Sequence, residues 1–114
     1  MLKKEFRLRK QKDFENVFNK GVYFSEKFLM LKAVENSLPF SRFGFVVSKK
    51  ISKKAVERNR VKRLMSESIR LSQKKIKPGF DVVFVSKAGI VGKSLEEVKG
   101  PMENLLKKLG ILEK

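Results

Sequence analysis

Fifteen consecutive residues, 49–63, carry eight cations and a single anion. A segment this charged enters a globular fold most readily as a helix with one solvent-facing side and one buried side. Wound at about 100° per residue, the stretch from about Lys54 to Gln73 supplies both sides. Val61, Leu64, Met65 and Leu71, with the small Ser68, share the face expected to bury. Asn59, Lys62, Arg63, Ser66 and Arg70 gather on the other, at i, i+3, i+4, i+7 and i+11, with Arg58 at its edge. Neighbouring cations at such spacings repel by about a few tenths of a kcal/mol per pair, which a polyphosphate backbone more than offsets. A plain solvated face is the bland reading, but such faces interleave Glu with Lys. Here Glu57 and Glu67 lie off the stripe.

The rest of the chain agrees with that helix. Its 114 residues hold 28 Lys plus Arg against 12 Asp plus Glu, a formal charge of +16. A compact body that repels itself so strongly is suited to a polyanion, nucleic acid first. Hydrophobic residues make up 41%, enough for one core and one domain spanning 1–114. Cysteine and histidine are both absent, which excludes disulfides, thiol nucleophiles and zinc ribbons and removes the usual general base at neutral pH. The only aspartates, Asp13 and Asp81, are far apart in sequence, little from which to build a two-metal nuclease centre. Any chemistry is expected in the partner. No stretch approaches the ~18 apolar residues of a membrane span, and the start lacks a signal-peptide core, so a cytoplasmic location is expected.

Along the chain, residues 1–10 read as a basic arm, of a kind that either folds with the domain or orders only on RNA binding. A short helix follows, with Phe14, Val17 and Phe18 on one face and Gly21 as a left-handed stop. Phe28–Val34 and Phe43–Ser48 have strand composition, separated by a turn through Pro39, and Asp81–Ser86 makes a further strand after Pro78-Gly79. Ser94 and Glu97 form a capping box for a last helix ending at Gly110, with Pro101 inside it as a possible kink. The order is a helix, two or three strands, then α, β, α: an α+β sandwich of helices on one sheet.

The run Lys54-Ala55-Val56-Glu57-Arg58-Asn59-Arg60-Val61-Lys62-Arg63, followed by Glu67 and Arg70, resembles the Arg-Asn-Arg motif of the bacterial ribonuclease P protein family. Three further segments are similar in the same order: Arg7-Leu8-Arg9 with Asp13–Gly21, Arg42–Lys50, and Gly79–Val85. The resemblance implies a single RNA-binding domain of order αβββαβα, with a mixed sheet and a left-handed βαβ crossover. It implies the accessory subunit of an RNA endonuclease, in which a catalytic RNA with bound Mg²⁺ hydrolyses the phosphodiester joining the 5′ leader to precursor tRNA. The protein itself would carry no catalytic residue and no metal site. Its RNA-binding positions would be Lys49, Lys50, Lys53, Lys54, Arg58, Asn59, Arg60, Lys62, Arg63, Ser66 and Arg70. A leader cleft between the first helix and the sheet would involve Arg7, Arg9, Phe14, Phe18 and Phe45, whose rings would stack unpaired bases. From periodicity alone Phe14 and Phe18 read as core; Phe84 reads as core and Phe45 as either. Many relatives have Arg where this chain has Ser66, and some have an aromatic where it has Leu31.

The alternative of a different class is a structural ribosomal RNA-binding protein, equally small, basic and free of cysteine. An independent nuclease is disfavoured by the missing histidine. DNA binding is disfavoured because no helix pair with a Gly turn precedes the basic helix. Membrane binding is disfavoured because the helix lacks an aromatic apolar face.

Overall fold

Alternation along the strands sorts side chains into two layers, and each layer is closed by different helices. The structure is a computed structural model that describes residues 2–113. Met1 and Lys114, which end the expected domain and open the expected arm, lie outside the described residues. Four strands, β1 (Val22–Glu26), β2 (Leu29–Glu35), β3 (Arg42–Val46) and β4 (Phe80–Ser86), form one sheet in the order β1-β2-β4-β3. β2 is antiparallel to both β1 and β4, while β3 runs parallel to β4. The link between the parallel pair contains helix α2 (Ala55–Ser72), so the expected βαβ crossover is present.

On one face Leu29, Leu31, Phe43, Val82 and Phe84 pack with Val61, Met65 and Ile69 of α2 and with Met102, Leu105 and Leu106 of α3 (Leu95–Leu109). Fully burying one such side chain stabilises the fold by about 1.5–3 kcal/mol. On the other face α1 (Gln11–Lys20) contributes a single fully buried residue, Val17, which joins Leu8 and Val83. The element order is αβββαβα, an α+β sandwich as expected.

Several local expectations are corrected. Gly21 ends α1 in an extended conformation (φ −76°, ψ 155°), not a left-handed one. Its reason is space: a Cβ there would stand 2.4 Å from the Val17 carbonyl oxygen and 2.8 Å from that of Ala33. By contrast Gly110 does close α3 at φ 88°, and α3 passes through the buried Pro101 without interruption. Strand β1 had no assigned place in the sequence.

On α2 the expected faces shift at both flanks. Leu71 is 49% exposed, Ser66 only 4%, and Ile69 takes the core position. Ser66 and Leu71 both lie roughly 100° or more from the middle of the buried stripe. Which flank is covered therefore depends on a neighbour. That neighbour is the amino-terminal arm. Leu2 is buried and its backbone N–H donates to Ser66 Oγ at 3.4 Å. Lys4–Phe6 makes one 3₁₀ turn, Phe6 meets Phe40 edge-on at 5.6 Å, and Leu8 N–H donates to the Phe43 carbonyl at 2.8 Å. From Leu2 onward the arm packs against α2 and the edge strand β3.

Candidate nucleic-acid interface

Helix α2 begins without a side-chain cap on its first turn; its N-cap residue is Lys54. The preceding loop is organised by the motif itself. Arg58 Nη1 donates to the Ser52 carbonyl at 2.9 Å, and Ser52 Oγ donates to Glu57 while accepting the Lys54 N–H at 3.2 Å. Lys49, Lys50, Lys53 and Lys54 are left exposed around that loop. Two residues past Arg58, Arg60 turns away from the stripe and donates to the Lys93 carbonyl at 3.2 Å.

Past this braced start the helix presents Asn59, Lys62 and Arg63, all exposed. Among the described residues neither Lys62 nor Arg63 has a salt-bridge partner. Arg70 differs. Its guanidinium forms an ion pair with Glu67, with Nε donating to Oε2 at 3.0 Å. That bond holds the Glu67 carboxyl below the usual carboxylate range and raises the Arg70 guanidinium. The expected acid-free stripe is thus acid-free only up to Arg63. Ser66, expected on the RNA-facing side, is buried and engaged by Leu2.

Asn59, Lys62 and Arg63 form one wall of a cleft of about 420 Å³, above Ser66. The arm supplies the opposite wall with Arg7, Leu8 and Arg9, and the floor is the edge of β3, with Gly44 and the Phe14 ring on one side of the strand and Phe45 on the other. The floor is shaped by close packing. A Cβ on Gly44 would stand 2.6 Å from the Phe14 ring, and Phe45 lies over Phe84 with centroids 6.2 Å apart and planes at 15°. Phe84 is fully buried, as read from the sequence, whereas Phe45 is half-buried with a wall of the cleft beside it. Arg7 Nε is buried and has no hydrogen-bond partner among the described residues.

The cleft thus gathers Arg7, Arg9, Phe14 and Phe45 from the expected leader set and joins them to the motif helix. Phe18 is not among its lining residues. It is 38% exposed, with Lys32 Nζ 5.1 Å from its ring centroid. Tyr23 stands opposite Lys32 in the β1–β2 register and is 55% exposed. Neither Tyr23 nor Lys32 is among the residues expected from the sequence, where the single tyrosine of the chain is the one signal for this face.

Chemically, the cleft can stack a planar ring on its floor and take anionic oxygens from either wall. The two aspartates are engaged elsewhere. Arg42 donates to Asp81 through Nε at 2.9 Å and Nη2 at 2.7 Å, and to Asp13 through Nη1 at 3.4 Å. The Asp81 bond, ahead of burial and of Asp13, raises the Arg42 guanidinium above its ordinary value. With both carboxylates turned to one cation, these residues do not fit a protein-built Mg²⁺ site.

Comparison with known proteins bears on this arrangement. A family model described as Ribonuclease P matches residues 2–110. The ribonuclease P protein component of Alkaliphilus oremlandii is 42% identical, covering 93% of this chain and 92% of its own length. That of Clostridium botulinum strain Loch Maree is 41% identical, covering 95% and 97%. Among solved structures, the ribonuclease P protein of Thermotoga maritima superposes with a TM-score of 0.82 at 30% identity, over 90% of this chain and 96% of that one. The Staphylococcus aureus protein gives 0.85 at 23% identity, over 95% and 98%, a likeness of fold.

Proposed function

This chain belongs to the ribonuclease P protein family, and on that premise we propose which of its surfaces meets which RNA. It is the protein subunit of the RNA–protein endonuclease that processes precursor tRNA, working with ribonuclease P RNA as a ribonucleoprotein. The observation that carries the assignment of surfaces is the cleft, where an aromatic floor lies between cations from two separate elements.

The wall on α2, Asn59, Lys62 and Arg63, binds ribonuclease P RNA together with the loop lysines Lys49, Lys50, Lys53 and Lys54. Arg58 and Arg60 serve that surface by bracing the loop and the start of α3, which their hydrogen bonds support. Arg70 contributes less because Glu67 already engages it. Phe14 and Phe45 stack leader bases while Arg7 and Arg9 meet leader phosphates; Phe18 with Lys32 offers a second stacking position outside the cleft. Stacking of this kind is indifferent to base identity and supplies about 1–3 kcal/mol per base, which suits a subunit that meets many leaders. Magnesium and the hydrolytic centre belong to the RNA partner, and the particle works in the cytoplasm. No described helix is long and apolar enough to cross a membrane.

The test is cleavage of precursor tRNA at near-physiological Mg²⁺ by the RNA subunit alone, by the protein alone and by both. Efficient cleavage at the leader junction by the combination only is expected. Cleavage by the protein alone would move the chemistry into this chain, and no effect with the cognate RNA would favour a ribosomal RNA-binding role.

A further inference from the structure

We propose that Asp13 is a positioning residue for leader recognition: through Arg42 it sets the start of α1, and so the Phe14 ring, over the sheet. The proposal rests on the reading of Phe14 as part of the leader cleft. Asp81 provides an immobile base. It is buried in β4, its Oδ1 accepts from Asn36 Nδ2 at 2.9 Å as well as from Arg42 Nε, and its Oδ2 accepts from Arg42 Nη2. Arg42 is therefore fixed to the sheet before any contact with α1 is counted. Its remaining Nη1 reaches Asp13 at 3.4 Å, in the first turn of α1.

The next residues repeat the relation in order. Phe14 follows Asp13 on α1, Gly44 lies two residues beyond Arg42 on β3, and the Phe14 ring packs where a Gly44 Cβ would be. Residues two apart on a strand share a face, so Arg42 and Gly44 meet Asp13 and Phe14 as successive contacts. α1 needs such a guide because Val17 alone is fully buried on it. At its far end Gly21 lies against the Ala33 backbone. With that end fixed, loss of the Asp13 contact swings the near end, which carries Phe14. Asp81 takes two of the five N–H donors of Arg42, which leaves Nη1 to carry the position of the sheet to Asp13.

The experiment uses the reconstituted holoenzyme with Asp13→Ala, Phe14→Ala and the double variant, each measured for precursor tRNA affinity, mature tRNA affinity and RNA-subunit affinity. Asp13→Ala is expected to lower the preference for precursor over mature tRNA by about three- to five-fold, the scale a partly exposed ion pair can supply. RNA-subunit affinity is expected to stay unchanged. In the Phe14→Ala background the Asp13 change is expected to add nothing, because its effect passes through the ring. Asp13→Glu is expected to recover part of the preference. Should Phe14→Ala reduce the preference while Asp13→Ala does not, or should the two losses multiply, the positioning role is wrong and the cleft stands. An unchanged preference in Phe14→Ala removes the cleft reading and this proposal with it.

Discussion

Helices α2 and α3 pack side by side on the same face of the sheet, and both carry an acid in the first turn and a base in the last, yet their starts and exposed faces differ. α3 completes itself. Ser94 Oγ accepts the Glu97 N–H at 3.2 Å while Glu97 Oε1 accepts the Ser94 N–H at 3.1 Å. Acids occupy its first turn, Lys107 and Lys108 its last, and Lys99 pairs with Glu103 one turn apart. The cap and the terminal charges suit the helix dipole or satisfy orphan end groups, and the Lys99–Glu103 pair adds a surface side-chain contact. α2 has no side-chain cap, and its exposed middle carries Lys62 and Arg63, which have no salt-bridge partner among the described residues. Its start is steadied by the preceding loop, and one flank is covered by the arm. The contrast is one of supply: α3 draws its cap and end charges from its own sequence, whereas α2 draws its support from the loop before it and from the arm.

The largest expected effect tests that contrast directly. Replacing Lys62 and Arg63 together by Ala should weaken RNA-subunit binding by roughly ten- to a hundred-fold and reduce the slope of log affinity against log salt by about two. Thermal stability should hold or rise, since a repulsion is removed. The matched change on α3, Lys107 and Lys108 to Ala, should leave the salt slope alone. Equal slopes for the two pairs would erase the distinction between the helices.

Ser94→Ala should cost about 1 kcal/mol in denaturant unfolding without changing RNA affinity. Conversely, Lys54→Asp places a capping carboxylate at the start of α2 and should add about 0.5–1 kcal/mol of stability. It should also remove one cation from the RNA-facing loop and flatten the salt slope by about one. A variant that gained stability and kept full RNA affinity would show that α2 gave up its cap for some other reason. Smaller still, Arg70→Ala should weaken RNA binding less than Arg63→Ala, because Glu67 already occupies it.

A pH comparison sharpens the same point. The Glu97 carboxyl is held below its ordinary value first by the Ser94 backbone N–H and then by the Ser94 side chain. A carboxyl depressed on folding adds stability that is present in full above its ordinary range and lost as pH falls through the lowered value. Acid titration of stability should therefore be steeper for the wild type than for Glu97→Gln over that interval. Identical curves would mean that the capping box contributes no proton linkage.

Much of this was legible in the sequence, because it follows from local pattern. The β-branched and aromatic runs marked β3 and β4, the Ser94/Glu97 pair marked the start of α3, and Gly110 marked its end. The helical reading of Lys54–Gln73 overshot the observed Ala55–Ser72 by one residue at each end. What escaped depends on distant partners. β1 is a five-residue edge strand turned by Lys27 and Phe28, with Lys27 at φ 51° and no glycine or asparagine to announce it. Ser66 and Leu71 are flank positions on opposite sides of the buried stripe, and only Ser66 is covered, by Leu2 64 residues away. Phe14 and Phe18 look equivalent at i and i+4, but β3 meets the first with a glycine, and β2 meets the second with a lysine.

The strand order has a consequence in time. β4 lies between β2 and β3, yet it is the last strand to be synthesised. Until it emerges from the ribosome, the edges of β2 and β3 that it will join have no partner, and exposed edges invite pairing between chains. A nascent chain stopped before residue 80 carries both open edges together with the whole of the cationic helix. Mutual repulsion among such chains opposes their aggregation, so the charge that later meets RNA also shields the half-built sheet.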